Sequence, residues 1–167
     1  KAGAMKFGDV FVFEVHPEPE DYPKPPVLPE RDDRYVTGMN ICSLWHNGEH
    51  VGWDAISAFD ENLTYLGFYD EGIPEVADWE IKFMVENGIT QQYYCWYLGE
   101  FRGGPIKKTR LSDALVDGFM NAKYSDMTKY TFMWENSGVN CRNLDQFKKY
   151  IWEYWMNYYF LDYRFYT

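Results

Sequence analysis

The sequence predicts an α/β fold built on a parallel sheet with crossover helices. Two observations carry this. Apolar, β-prone runs alternate with segments of helical periodicity in the order strand, helix, strand, helix, strand, helix from Tyr35 onward. Parallel strands need such crossovers, and helices usually supply them. In addition, each strand-like run finishes in aromatic residues followed by Asp, Glu, Asn or His, whereas the opposite loops "ENGI" and "YSDMTK" lack aromatic clusters. In parallel α/β folds, ligands collect at the carboxyl ends of the strands.

The elements follow in order. Residues 7–15, "FGDVFVFEV", alternate weakly and read as a strand. The next stretch, "HPEPEDYPKPPVLPERDD", carries six prolines between Pro17 and Pro29. Proline fixes φ and removes an amide donor, so this is a linker or wrapping arm. Residues 1–34 are therefore set apart from 35–167. Strands are expected near 36–44, 90–97 and 129–135. "VGWDAISAF" reads as a short helical or turn-like segment and "TYLGFYD" as a further short strand.

"IPEVADWEIKFMVENGI" is a clear helix. Pro74 suits the first turn, Glu75 and Asp78 favour its positive end, and Ala77, Ile81, Met84 and Val85 share one apolar face. Gly88 is the expected stop. "TRLSDALVDGFMNAKYS" is a second helix, with Leu111, Leu115, Val116 and Phe119 at helical spacing. "NLDQFKKYIWEYWMNYYF" is a third, with Phe147, Ile151, Tyr154 and Trp155 on one face and Asn143 as N-cap.

Composition narrows the partners. The net charge is −10 and no Lys/Arg stripe is visible, which argues against nucleic acid. No window approaches the ~20 uninterrupted apolar residues of a membrane span. The start, "KAGAMKFGDV", shows no signal peptide. Aromatics make up 20% of the chain. Two readings fit: a Tyr-rich core, or a surface that stacks on flat polar ligands such as sugars, whose hydroxyls bond to carboxylates and amides. Cys42, Cys95 and Cys141 are far apart in sequence. Two could pair in an oxidising compartment, but three isolated buried thiols are the simpler reading.

Candidate ligand-facing residues come from the strand ends: His46 in "SLWHNGEH", and Trp134, Glu135 and Asn136 in "MWENSG". Along "YYCWY", alternation lets only one of the pairs Tyr94/Trp96 and Tyr93/Tyr97 face inward. Glu135 is the best single candidate for a catalytic group, with capping or lysine pairing as the alternative. Asp70 and Glu71 precede a helix start and read as helix-capping. Residues 46–50, "HNGEH", match a zinc-protease pattern, but Asn47 and Gly48 disfavour the helix it needs, so no metal site is assigned. With no Gly-rich phosphate loop and no GxSxG, no cofactor is expected.

The runs "WHNGEHVGWDAI", "LGFYDEGIPEVADWEIKFMVENGIT", "YYCWY", "YTFMWENS" and "FKKYIWEYWMNYYFLDYRFYT" resemble the N-terminal half of the WbsX-like group, which is related to glycoside hydrolase family 99, the endo-α-mannosidases. The resemblance covers about residues 35–167. Tyr163 stands where the family usually has proline. It implies a parallel (β/α) barrel of TIM type, of which this chain would be the first part, since such barrels take ~250 residues. It further implies α-mannoside-type glycans as partners and a secreted or cell-surface location. Strand-end residues carried over as substrate-binding are Trp45, Tyr94, Trp96, Trp134, Glu135 and Asn136. The family's catalytic carboxylates have no matching positions here. The function classes left open are the front half of a glycoside hydrolase, a carbohydrate-binding or scaffold module, a glycosyltransferase-labelled relative and a protein-interaction domain.

Overall fold

The computed structural model describes residues 23–30, 34–46, 53, 64–98, 109, 111–136 and 141–167. The strand expected at 7–15, the first part of the proline-rich stretch and residues 47–50 of the histidine motif lie outside them. Three strands are described: β1 (Gly38–Ile41), β2 (Gln91–Tyr97) and β3 (Lys129–Glu135). They form one parallel sheet in the order β1-β2-β3. Beyond β3, Tyr130 makes a further parallel bridge to Phe165. Its amide donates to the Arg164 carbonyl at 3.0 Å, and the Tyr166 amide donates to its carbonyl at 2.7 Å.

Helix α1 (Pro74–Glu86) has Pro74 in its first turn and Ile73 as an N-cap without a side-chain bond. Gly88 follows at φ +78, a conformation that glycine tolerates without strain. Val76, Ala77, Ile81, Met84 and Val85 are buried. The second helical segment spans residues 114–121, a wide π-type turn (Ala114–Gly118) continued by a tight one (Phe119–Asn121). Leu115 and Phe119 are buried as expected, but two of the four apolar positions differ. Leu111 adopts φ 55 and stays outside the segment, and Val116 faces solvent at 37% exposure. The third helix runs over 144–160, and the Asn143 side chain caps it by accepting from the Gln146 amide at 2.9 Å. The stretch read as a short strand, 64–70, opens instead as a tight turn, in which the Gly67 amide donates to Thr64 at 3.0 Å. Gly67 takes φ 70 there, which breaks an extended run.

All three helical segments cover the same face of the sheet. Tyr94, Trp96 and Leu98 of the β2 run join Tyr130 and Ile81, Val85, Leu115, Phe119, Ile151, Trp155 and Tyr159 in one core. Phe132 and Trp134 pack against it. Strand residues one position along point the other way. That second face carries Gly38, Asn40, Tyr93, Cys95, Tyr97, Thr131, Met133 and Glu135, none of them buried, together with the buried Gln91. Of the arm, Pro23 and Pro26 are buried, and the Tyr124 hydroxyl donates to the Pro23 carbonyl at 3.0 Å.

Glycine fixes one close approach. A Cβ on Gly118 would stand 2.2 Å from the Glu71 carbonyl oxygen. Backbone cannot step aside as a side chain can. Gly118→Ala is therefore expected to cost about 1–3 kcal/mol of stability, as overpacked sites do. At Gly38 the obstacle, also at 2.2 Å, is the Tyr93 ring, which can rotate away. Gly38→Ala should thus cost less, and urea midpoints of the two variants measure the difference; equal midpoints would contradict it.

Candidate functional site

The segment after β1 crosses the carboxyl edge of the sheet. Glu71 clips it there in two places: its amide donates to the Trp45 carbonyl at 2.9 Å, and its Oε2 accepts from the Trp45 amide at 2.8 Å. Trp45, so held, stacks on Trp53 with ring centroids 4.1 Å apart and planes 18° apart. Trp53 is buried, with Phe68 and Tyr69 edge-on to it, and its indole N–H donates to the Tyr69 carbonyl.

His46 follows and turns to two carboxylates. Its Nδ1 lies 3.0 and 2.9 Å from the two Asp70 oxygens. Its Nε2 lies 3.9 Å from Asp113 Oδ2, at the start of the second helical segment. Asp70 also accepts from the Gly72 amide at 2.8 Å. This replaces the helix-capping reading of Asp70 and Glu71. Helix α1 begins at Ile73 without a side-chain cap, because Asp70 is spent on His46 and Gly72 while Glu71 reaches back to Trp45. The His46 and Asp113 side chains are 38% and 42% exposed, so the cluster opens to solvent.

Beneath it lies a second acidic group. Glu71 and Glu80 line a cavity of about 500 Å³ between β1 and α1, with Met39, Ile41, Phe83, Met84 and Ile89. Burial pushes the Glu71 carboxyl up to about 7; the Trp45 amide opposes the shift and the Asp70 charge adds to it. Glu80 is half-buried where it lines this cavity. Burial, and then the charge on Glu71, push it up to about 8. The Tyr69 and Tyr94 hydroxyls are raised by burial and by the same two carboxyls.

The structure therefore brings Trp45 and His46 together and separates the other predicted residues. Tyr94 and Trp96 are 3% and 2% exposed and belong to the core. The Tyr94 hydroxyl donates to Gln92 at 2.7 Å, and the Trp96 indole to Tyr159 at 3.2 Å. Trp134 packs edge-on against Trp155 at 5.1 Å and beside Phe147 at 5.9 Å, on the helix side. These three are corrected as ligand-facing residues: helices cover the face to which alternation turns them. Glu135 points the opposite way, beside Tyr97 in register, and Asn136 is exposed at the end of β3. Trp134 and Glu135 thus do not share a pocket wall.

Sequence reasoning missed Asp113 and Glu80 as site residues. Glu80 was discoverable, because it stands three residues after Ala77 and four before Met84, within the apolar stripe of α1. Asp113 carried no comparable signal. Among the described residues, no group of three or more His, Cys, Asp or Glu side chains is arranged to hold a metal ion, and no helix is long and apolar enough to cross a membrane. Comparison of the chain with protein-family models, curated proteins and solved structures found no match.

Proposed function

We propose that the chain is part of a carbohydrate-active protein and binds glycans, of the α-mannoside type that its WbsX-like resemblance implies, at the carboxyl edge of the sheet. The observation that carries this reading is the His46–Asp70–Asp113 cluster beside the stacked Trp45. Vicinal sugar hydroxyls pair with carboxylate and imidazole groups, while an indole accepts the C–H face of the ring. The parallel order of the strands supports the location, since loops at their carboxyl ends are where such folds bind ligands. Closure of this sheet into a TIM-type barrel belongs to the same proposal.

Binding is favoured over turnover by this chain. Hydrolysis usually needs two carboxyl groups about 5–9.5 Å apart across the scissile bond. The two carboxyls with raised affinity for a proton, Glu71 and Glu80, face the β1–α1 cavity. Those at the open edge, Asp70 and Asp113, engage His46.

Calorimetric titration with α-mannan oligosaccharides tests the reading. The 167-residue chain is expected to bind without releasing sugar. His46→Ala and Asp70→Asn should each weaken binding about tenfold, the loss of one charge-assisted hydrogen bond. Binding that neither variant alters would remove the cluster from the proposal. Turnover abolished by Glu135→Gln would replace it with catalysis at β3.

A further inference from the structure

We infer that Cys42 and Cys95 form a dithiol on the uncovered face of the sheet that a small disulfide oxidises to a cross-strand bond. The last register pair of β1 and β2 is Ile41 with Tyr94. Cys95 is the next residue of β2 and Cys42 is the first residue past the end of β1, so continuing the register sets Cys42 opposite Cys95. Cys42 Sγ lies 3.8 Å from the hydroxyl of Tyr97, which stands two residues after Cys95 on the same face of β2. Neighbouring strands run about 4.8 Å apart, which falls within the roughly 4.4–6.8 Å between Cα atoms that a disulfide spans. This corrects the expectation of three isolated buried thiols. Cys42 is exposed, because it continues β1 onto the face that no described helix covers, and only Cys141 packs against the core.

The two thiols have different parts. Cys42 is the one a solvent-borne oxidant reaches. Its thiolate attacks one sulfur of the small disulfide, whose S–S bond breaks. One thiolate leaves and takes up a proton, and Cys42 carries a mixed disulfide. Cys95 is half-buried, and burial, followed by the neighbouring Cys42, raises its pKa. It therefore acts second: it gives its proton to solvent, attacks the Cys42 sulfur and expels the other small thiolate. The two protein thiols are oxidised to one disulfide, and the oxidant is reduced to two thiols.

The test uses the full chain with oxidised glutathione, followed by alkylation and intact-mass measurement. Wild type is expected to lose two hydrogens and keep one alkylatable thiol, at Cys141. Peptide mapping of wild type should link Cys42 to Cys95 without recourse to any variant. Cys141→Ser should leave that link in place. Cys95→Ser should stop at one glutathione adduct on Cys42. The second step should quicken about tenfold per pH unit near neutrality, because the thiolate is the nucleophile. Three alkylatable thiols after exposure to the oxidant, a lasting glutathione adduct on wild type, or a link to Cys141 would each overturn the inference. Because it is read by mass, this result is independent of glycan binding.

Discussion

Raising the pH from 5 to 8 is expected to destabilise the protein, and Glu80→Gln is expected to remove most of that loss. The sign follows from proton counting. The Glu71 and Glu80 carboxyls are raised to about 7 and about 8 in the fold. Below the ordinary carboxylate range both are protonated whether the chain is folded or not, so they contribute no penalty. Above it the unfolded chain releases its protons while the fold retains them. Stability then falls until the pH passes the folded values. For a carboxyl displaced this far, the loss is on the order of 4 kcal/mol, and the mutual repulsion of the pair makes the two losses non-additive. Asp162 and Glu86 behave oppositely, held low by hydrogen bonds from Arg164 and Lys82. Their contribution is lost only below the ordinary carboxylate range, so the two windows are separable. Urea midpoints at pH 5 and pH 8 measure the effect. Glu80→Gln should match wild type at pH 5 and exceed it at pH 8; an unchanged pH slope would show that the cavity admits enough water to solvate the charge.

The second large effect is expected at Asp78. This residue of α1 is fully buried. Its Oδ1 accepts from the Tyr124 amide at 2.7 Å, and its Oδ2 from the Lys123 amide at 3.1 Å. It thereby ties α1 to the turn that feeds β3. Asp78→Ala would remove the acceptor of both amides, that of Tyr124 in a buried site and that of Lys123 in a part-buried one. Each unmade bond of this kind costs about 1–3 kcal/mol, so a total of about 3–5 kcal/mol is expected. Against a typical stability of roughly 5–15 kcal/mol, that is a third or more of the whole. Asp78→Asn keeps the shape and one acceptor and should lose about half as much. A loss below about 1 kcal/mol for the alanine variant would mean that the turn finds other acceptors.

Much of the element pattern was legible in the sequence, and the reasons are physical. Helix α1 announces itself through Pro74, Gly88 and an apolar stripe at helical spacing, all properties of the local chain. Asn143 capped its helix as read, because a cap acts within one turn. The facing of strand residues was less legible. "YYCWY" places aromatics on both sides of β2, so hydrophobicity cannot tell the covered face from the open one. Only the helices packed on Tyr94 and Trp96 decide it, and that packing is tertiary. Asp78 shows the same limit: at an acid-favouring helix start it reads as a dipole partner, yet its bonds go to amides 45 and 46 residues away. His46 was legible as a polar strand end, but its meeting with Asp113 depends on how two loops fold over the edge.

The unequal lengths of the strands determine the order in which the sheet opens. β2 and β3 pair along seven residues each, whereas β1 offers four. Chain connectivity favours the longer ladder only slightly. The loop joining paired residues is longer for Gly38 and Gln91 than for Gln91 and Lys129, yet the entropy of closing loops of such similar length differs by only about 0.3 kcal/mol. Paired backbone therefore governs, and β1 is expected to be the first strand to exchange its amides with solvent. Trp45 and His46 follow directly from that strand. The proposed ligand edge thus hangs on the part of the sheet with the shortest ladder. Deuterium should enter the amides of residues 38–46 before those of 91–97, and a glycan bound as proposed at this edge should slow the first set far more than the second.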